Sequence, residues 1–251
     1  MSRPDLAIIV PVYNESLTIC HVIYDLIRVR QDNVYGLADL DVRIYIYDNN
    51  SMDDTVIAAQ NLINDAKIGT FTQIRHCKEQ GKGCVMRKAF SEIDASYYCM
   101  IDGDDTYDAS IIPYMYSIAS TLSDCGQESI MVIGDRLSTT YYTENKRPFH
   151  GFGNKLVRSI LKNMYGIDFR DALTGLRLFD KAFIDEFKCY SDGFTLETEM
   201  CIFTAKSGAV FRSINVNYKD RPVGSESKVK TIQDGIKILK SIKEFDWRYY
   251  D

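Results

Sequence analysis

Continuous apolar stretches alternate with stretches of helical periodicity throughout the first half of the chain, and this alternation constrains the fold most. The run LAIIVPVY (6–13) is apolar almost throughout, which is typical of a parallel strand covered on both faces. Segment 15–29 then has apolar residues at helical spacing. The same reasoning predicts strands at 42–48, 71–76, 96–102 and 129–135, and helices at 53–66, 83–93 and 109–122. Strands and helices that alternate in this way predict an α/β fold, with a mostly parallel central sheet and helices on both faces.

Three polar clusters directly follow predicted strands. They are YNES (13–16), DNNSMDD (48–54) and DGDD (102–105). Because ligands of such sheets bind beyond the carboxyl ends of the strands, we expect these clusters to meet at one edge and to form the functional site.

The acidic stretch CMIDGDDTYD (99–108) carries four aspartates within seven residues. If Asp102 ends the strand, a turn at Gly103 can aim Asp102 and Asp104 at one divalent cation, and the glycine permits close approach of the backbone. Two carboxylate ligands leave room for water and phosphate oxygens around Mg²⁺ or Mn²⁺. The alternative is a solvated acidic turn that caps the next helix, and it suits Asp105 and Asp108 better.

Composition excludes several classes of protein. The net charge of −5 argues against nucleic acid as the main partner. The seven cysteines are scattered without C-x-x-C spacing, which predicts reduced thiols in a cytosolic protein, and the three histidines lie too far apart in sequence to indicate a zinc site. No signal sequence is evident, and no apolar run approaches the roughly 18 residues of a membrane span.

The second half is less regular but shows no clear linker. Its periodicity predicts helices at 152–166, 193–208 and 231–245 and a strand at 210–218. We therefore expect a single domain over 1–251, with a nucleotide-binding half (1–135), an acceptor-binding half (136–251) and a C-terminal amphipathic helix. The apolar face expected for that helix consists of Ile232, Ile236, Leu239, Ile242 and Phe245.

The order of the short motifs resembles the family 2 glycosyltransferases over nearly the whole chain. The motifs in the first half are PVYNES (11–16), YDNNSMDDT (47–55), GKG (81–83) and DGDD. In the second half VIGDR (132–136), DALTGLRLF (171–179) and RPVGSESK (221–228) resemble the subgroup that transfers a hexose to a polyisoprenyl phosphate, such as the dolichol-phosphate mannosyltransferases. This resemblance implies a GT-A fold that binds a nucleotide-diphosphosugar. Many members of the subgroup continue D-A-D with Gln-His-Pro-Pro, from which DGDDTYDAS (102–110) departs after the Asp-x-Asp.

The resemblance also implies roles for individual residues. The base and ribose would lie against Pro11, Tyr13 and Glu15, with Asp48 accepting a hydrogen bond from the base. Lys82, between Gly81 and Gly83, would pass close to the nucleotide, and Asp102 and Asp104 would bind the metal. Without the resemblance, other interpretations of these positions stay open. Pro11 and Tyr13 could end a strand, Glu15 could cap a helix, and Lys82 could be a surface lysine.

The chemistry depends on the acceptor. A phosphomonoester, with its second pKa near ~6, is already an oxyanion nucleophile at neutral pH, so it needs cations rather than a general base. The cations available are Arg136, Arg177, Arg221 and Lys228, and arginine's planar fork suits phosphate oxygens. A hydroxyl acceptor needs a base, for which Glu197 or Asp105 are candidates. In relatives DALTG lies near the active site, which makes Asp171 a further candidate, with a loop cap as the alternative.

We therefore expect an inverting, metal-dependent hexosyltransferase that uses a UDP- or GDP-sugar and Mg²⁺ or Mn²⁺. The expected acceptor is a polyprenyl phosphate at the inner face of the cell membrane, and the expected location is cytoplasmic. The alternatives are a soluble relative that glycosylates a sugar or protein hydroxyl, and a non-catalytic nucleotide-binding module. The lysine-flanked C-terminal helix and the aromatic residues after it predict peripheral membrane contact, with a helix packed on the core as the alternative. The sequence leaves self-association open.

Overall fold

The computed structural model describes residues 3–137, 150–225 and 231–248, without the side chains of 150–152, 231–234 and 247. The described strands are β1 Leu6–Val12, β2 Val42–Asp48, β3 Thr72–His76, β4 Tyr97–Met100, β5 Ile130–Asp135, β6 Arg177–Asp180 and β7 Val210–Asn215. The described helices are α1 Ile19–Arg30, α2 Thr55–Asp65, α3 Lys82–Glu92, α4 Ile112–Asp124, α5 His150–Tyr165, α6 Lys181–Glu186, α7 Leu196–Ser207 and α8 Thr231–Arg248. Two short 3₁₀ turns, Leu37–Asp39 and Ala109–Ile111, precede β2 and α4.

Within the described residues the strands form one sheet in the order β3-β2-β1-β4-β6-β5-β7. Strands β1 to β4 are parallel to their neighbours within that group, and β5 is parallel to β7. Strand β6 is antiparallel to both β4 and β5, and it joins the two groups. The sheet is thus mostly parallel, as predicted, and it is built from both halves of the sequence.

Each face of the sheet is covered by a separate apolar cluster, which explains why the strands are apolar almost throughout. In β1, Leu6, Ile8 and Val10 face the cluster that contains α1, whereas Ala7 and Ile9 face the cluster that contains α3 and α7. All five side chains are fully buried. The predicted strands and helices of the first half therefore correspond to observed elements, with bounds that shift by a few residues.

Sequence periodicity missed β6 and α6. Strand β6 begins at Arg177, whose fully buried guanidinium donates to the carbonyl oxygens of Thr174 (3.0 Å) and Ala172 (2.7 Å). An arginine in a four-residue strand hides the apolar pattern. These bonds correct the expectation that Arg177 presents its charge to a phosphate: the guanidinium is buried and donates to backbone carbonyl oxygens and to the sulfur atoms of Met131 and Cys201.

Helix α8 packs on the core through Ile238, Ile242 and Phe245, which are buried in the cluster that also contains α7. The predicted apolar face was therefore partly wrong, since Ile236 and Leu239 are 50% and 38% exposed. The other residue expected on that face, Ile232, and the terminal aromatic side chains lie outside the described residues. No helix in the described part of the chain is long and apolar enough to cross a bilayer.

Phe183 lies among aromatic side chains in the cluster that contains α3 and α7, and it provides a test of the packing. Phe183 is fully buried, with its ring centroid 4.8 Å from that of Phe179 and 5.0 Å from that of Phe203. We expect Phe183→Ala to lower the free energy of unfolding by about 3–5 kcal/mol, because the cavity cannot close completely. Urea denaturation followed by circular dichroism measures this change. The exposed control Ile57→Ala should change it by about 0.5 kcal/mol or less, and an equal effect of both substitutions would contradict the assigned core.

Candidate active site

The three polar clusters meet at the carboxyl edge of the parallel strands. The backbone N–H of Asn14, after β1, donates to the Ser51 hydroxyl after β2 at 3.0 Å. The Thr18 hydroxyl donates to the carbonyl oxygen of Gly103 after β4 at 2.7 Å. These bonds join the loops of the three strands, so the predicted convergence of the clusters is observed.

Lys82, at the first position of α3, reaches the acidic turn after β4 at this edge. Its Nζ is 2.5 Å from Oδ1 of Asp102 and 2.7 Å from Oε1 of Glu197, and its side chain is only 10% exposed. Burial alone would lower the pKa of Lys82, but the two carboxylates outweigh burial and raise it. Lys82 is therefore held as an ammonium ion that joins the acidic turn after β4 to helix α7.

The two aspartates of the Asp-x-Asp motif differ in electrostatic environment. Burial and the neighbouring charge of Asp102 raise the pKa of Asp104, against the opposing effect of Arg221. For Asp102 burial also acts to raise the pKa, but the Lys82 ammonium outweighs it and lowers the pKa. The two carboxylates thus repel each other, and each of them lies against a cation of its own.

Arg221 is the second cation of the site. Its guanidinium donates to Oδ2 of Asp104, and it also lies 3.5 Å from Oε1 of Glu15. The backbone N–H of Glu15 is fixed by the Thr55 hydroxyl at 2.8 Å. Oδ1 of Asp104 accepts from the backbone N–H and the hydroxyl of Thr106, at 3.1 and 2.7 Å. The loop that follows β7 is therefore connected across the aspartates to the loop that follows β1.

The expected base pocket lies beside these charges. Pro11 and Tyr13 are half-buried at the end of β1, and Asp48 is 5% exposed at the end of β2. Oδ1 of Asp48 accepts the backbone N–H of Ser51 at 3.1 Å, and its Oδ2 lies 3.3 Å from Nδ1 of His76. The structure thus brings Pro11, Tyr13 and Asp48 to the same sheet edge, and it adds His76, which sequence reasoning did not select.

Arg136 directly follows β5. It forms a two-pronged ion pair with the fully buried Asp171, at 2.7 and 2.9 Å, and lies 5.5 Å from the ring centroid of Tyr107. Burial acts to raise the pKa of Asp171, but Arg136 outweighs it and lowers the pKa. The Nδ2 of Asn154 donates to the same carboxylate at 2.5 Å. Much of the charge of Arg136 is therefore compensated by Asp171, a pairing that sequence reasoning did not anticipate.

The remaining candidate residues differ in whether they contact the site. Of the two glutamates in TLETEM (195–200), Glu197 reaches the site through Lys82, whereas Glu199 accepts the backbone N–H groups of Tyr190 and Ser191 at 2.8 and 2.9 Å. Asp105 adopts a positive φ of 57° and lies 3.0 Å from Nζ of Lys219. Lys228 lies outside the described residues.

Gly175 also belongs to the site, although sequence reasoning gave it no role of its own. A Cβ atom at this position would lie 2.1 Å from Oδ2 of Asp102, so only a glycine leaves room for that carboxylate. Its N–H donates to the Tyr107 hydroxyl at 2.6 Å. The sequence feature that could have pointed to Gly175 is its place in DALTG, four residues after Asp171.

Comparison with known proteins identifies the family. The sequence model described as Glycosyl transferase family 2 matches residues 7–187, well over half of the chain. The chain belongs to glycosyl transferase family 2. Glycosyltransferase AglJ of Haloferax volcanii is 32% identical over 237 residues, which cover 94% of this chain and 70% of AglJ. The dolichyl-phosphate hexose transferase of the same organism is 24% identical over 238 residues, 95% of this chain and 92% of that relative.

Solved structures agree on the fold. Glucosyl-3-phosphoglycerate synthase from Mycobacterium tuberculosis, in complex with Mn²⁺, UDP and phosphoglyceric acid, superposes with a TM-score of 0.68 at 16% identity. The match covers 98% of this chain and 78% of that chain. The predicted GT-A fold and the prediction that the chain is a glycosyltransferase are confirmed.

The residues present fit a divalent cation that would be held jointly by the protein and a diphosphate. Asp102 and Asp104 would supply two hard oxygen ligands, and their mutual repulsion favours positive charge beside them. Among the described residues no group of three or more His, Cys, Asp and Glu side chains forms a complete protein-only metal site. In this glycosyltransferase the remaining ligands would have to come from water and substrate, which is usual for Mg²⁺.

The contact between Gly175 and Asp102 yields a prediction. We expect Gly175→Ala to displace the Asp102 carboxylate and to weaken binding of Mn²⁺ with UDP or GDP by roughly tenfold or more, since changes to groups that orient a metal ligand typically reduce metal affinity by about 10–100-fold. Isothermal titration calorimetry measures the affinity. Gly153→Ala is the matched control, because a Cβ atom there meets nothing within 4 Å and the residue lies in α5. Unchanged affinity of a folded Gly175→Ala protein would contradict the assigned contact.

Proposed function

We propose that this glycosyltransferase transfers a hexose from a UDP- or GDP-sugar to a polyprenyl phosphate, with inversion at the anomeric carbon. The observation that carries the proposal is the arrangement of two acid–base pairs, Lys82 with Asp102 and Arg221 with Asp104, at the carboxyl edge of the sheet. The acids suit a cation, and the bases suit a diphosphate. The relative named as a dolichyl-phosphate hexose transferase supports the choice of acceptor.

On the donor side, Asp102 and Asp104 would hold Mg²⁺ or Mn²⁺, which supplies positive charge to the diphosphate when bound. Lys82 and Arg221 would then exchange part of their contact with the carboxylates for contact with phosphate oxygens. Pro11, Tyr13, Glu15 and Asp48 would enclose the base and ribose, and Gly103 would let the backbone come close to the nucleotide.

On the acceptor side, a phosphomonoester with a second pKa near ~6 attacks as an oxyanion, so the protein need not remove a proton. Its oxygen forms the new bond to the anomeric carbon while the bond from that carbon to the nucleoside diphosphate breaks. Arg221, Arg136 and Lys228 would orient the acceptor. Because Asp171 fixes the guanidinium of Arg136 and compensates much of its charge, this arginine would align the phosphate without holding it too tightly.

A hydroxyl acceptor on a sugar or protein is the second candidate. The buried carboxylate of Glu197, 2.7 Å from Nζ of Lys82, favours it, because a hydroxyl needs a general base.

Transfer assays test the proposal. We expect label from one member of a panel of radiolabelled UDP- and GDP-sugars to pass to a short-chain polyprenyl phosphate in the presence of Mn²⁺ or Mg²⁺. EDTA should abolish transfer, and Asp104→Asn should reduce kcat/KM by roughly 10²–10³-fold, as removal of one electrostatic contact to the transition state does elsewhere. Lipid extraction and scintillation counting measure the product.

Asp108→Asn is the matched control, because Asp108 belongs to the same loop but its side chain caps the 3₁₀ turn at Ser110. We expect it to retain transfer. Metal-dependent hydrolysis of one donor without a lipid product would reject the lipid acceptor and favour the hydroxyl. Transfer that survives EDTA and Asp104→Asn would reject the metal role of this aspartate.

Peripheral membrane contact is part of the proposal. On α8 the exposed side chains of Ile236 and Leu239 are accompanied by exposed lysines. These lysines are Lys237, Lys240 and Lys243. An apolar strip flanked by lysines suits the headgroup region of an anionic bilayer, where a polyprenyl phosphate would be found.

We expect the full chain to sediment with vesicles that contain phosphatidylglycerol, and the double substitution Ile236→Asp and Leu239→Asp to reduce the bound fraction at least severalfold. Quantitative gel analysis of supernatant and pellet measures this fraction. Ile57→Asp, at a side chain 59% exposed on α2, is the control and should leave binding unchanged. Protein that stays in the supernatant would rule out this contact.

A further inference from the structure

The position of Lys82 depends on a turn that two different parts of the chain hold. Lys82 is preceded by Gly81, at a φ of +127°, and followed by Gly83. We name residues 81–83 the lysine turn. A lysine side chain has high conformational freedom, so its ammonium ion reaches two carboxylates reliably only if the backbone beneath it is fixed.

Asn49 fixes the lysine turn from the side of strand β2. Its Nδ2 donates to the carbonyl oxygens of Cys77 (3.2 Å) and Glu79 (2.7 Å), and its Oδ1 accepts the N–H of Gly81 at 2.7 Å. Asn49 is 4% exposed, so these bonds are protected from water. One amide side chain thus ties three backbone groups of residues 77–81 to the end of β2.

The opposite side of the lysine turn packs against residues 190–192. The carbonyl oxygens of Asp192 and Ser191 approach so closely that a Cβ atom on Gly81 or Gly83 would lie 2.0 or 2.1 Å from them. The N–H of Cys84 also donates to the Asp192 carbonyl oxygen at 3.2 Å. This segment therefore forms a wall against which the lysine turn rests.

Glu199 holds that wall in place. Its fully buried carboxylate accepts the N–H of Tyr190 at 2.8 Å through Oε1 and the N–H of Ser191 at 2.9 Å through Oε2. Glu199 lies on α7, two residues after Glu197, which contacts Lys82. The same helix thus supplies one partner of the ammonium ion and the support for the turn that carries it.

We propose that Asn49 and Glu199 are positioning residues for Lys82, which hold the lysine turn between the loop after β2 and the wall before α7. The inference deepens the proposed function, since it rests on contact between Lys82 and the donor diphosphate. Neither residue needs to touch the substrate. Because misplacement of a contacting group by about 1 Å can reduce a rate by 10²-fold, loss of either support should act mainly on kcat.

A labelling experiment tests the positioning without any substrate. The folded protein is treated with limiting acetic anhydride, and modification at each lysine is measured by peptide mass spectrometry. In the native chain Lys82 should react slowly, because it is 10% exposed and paired with two carboxylates. We expect Asn49→Ala and Glu199→Gln each to increase labelling of Lys82 severalfold, with the exposed Lys67 as the unchanged internal reference.

Asn64→Ala is the matched control, since it removes an exposed asparagine on α2 that accepts a hydrogen bond from Gln60. It should leave labelling of Lys82 unchanged. Unchanged labelling of Lys82 in both Asn49→Ala and Glu199→Gln would overturn the proposal. Labelling that rises equally at Lys82 and Lys67, together with a lower Tm, would also overturn it, because that result indicates general loosening of the fold.

A double-mutant cycle then tests the link to catalysis. We expect Asn49→Ala to lower kcat by roughly tenfold or more with a smaller change in the KM for the donor. If Asn49 acts through Lys82, the double variant with Lys82→Gln should be no slower than Lys82→Gln alone. Fully additive losses would overturn this link. Because labelling needs no acceptor, failure of lipid transfer and failure of the positioning role remain distinguishable.

Discussion

The site depends on one buried ammonium ion shared by two carboxylates. Lys82 joins Asp102, at the end of a strand in the first half of the chain, to Glu197, on a helix in the second half. Taking these charges out of water costs free energy, and the cost is offset only while all three partners stay together. Removing one partner of a buried pair typically costs about 3–5 kcal/mol, so this contact helps to fix how the two halves meet.

The same need to pair buried charges explains how Asp102 and Asp104 can lie so close together. Asp102 and Asp104, which follow β4, repel each other. Each is paired with a different cation, Asp102 with Lys82 and Asp104 with Arg221. The acidic turn is therefore not a solvated surface feature. Its negative charge is compensated by Lys82 and Arg221, two side chains that suit phosphate oxygens.

The fold was largely predictable because its strands are buried on both faces, which leaves continuous apolar runs such as 6–13 in the sequence. Strand β6 was not predictable by that rule, since its first residue, Arg177, is buried by bonding to backbone carbonyls. The face of α8 was assigned partly wrongly, because Ile236 and Ile238 are both apolar and only the packing against α7 decides which of them is buried.

The sequence by itself determined that acidic and polar clusters would meet at the carboxyl edge of the sheet, because each cluster follows a strand and parallel strands end on the same side. Its motifs also indicated the family.

Only the tertiary structure decided which charge pairs with which. The partners Lys82 and Glu197 are 115 residues apart, and Arg221 and Asp104 are 117 residues apart. No local pattern encodes such pairings, since they arise when β6 and β7 bring the second half onto the sheet. The supports at Asn49 and Glu199 escaped sequence reasoning for the same reason: both act through backbone groups, which every residue carries.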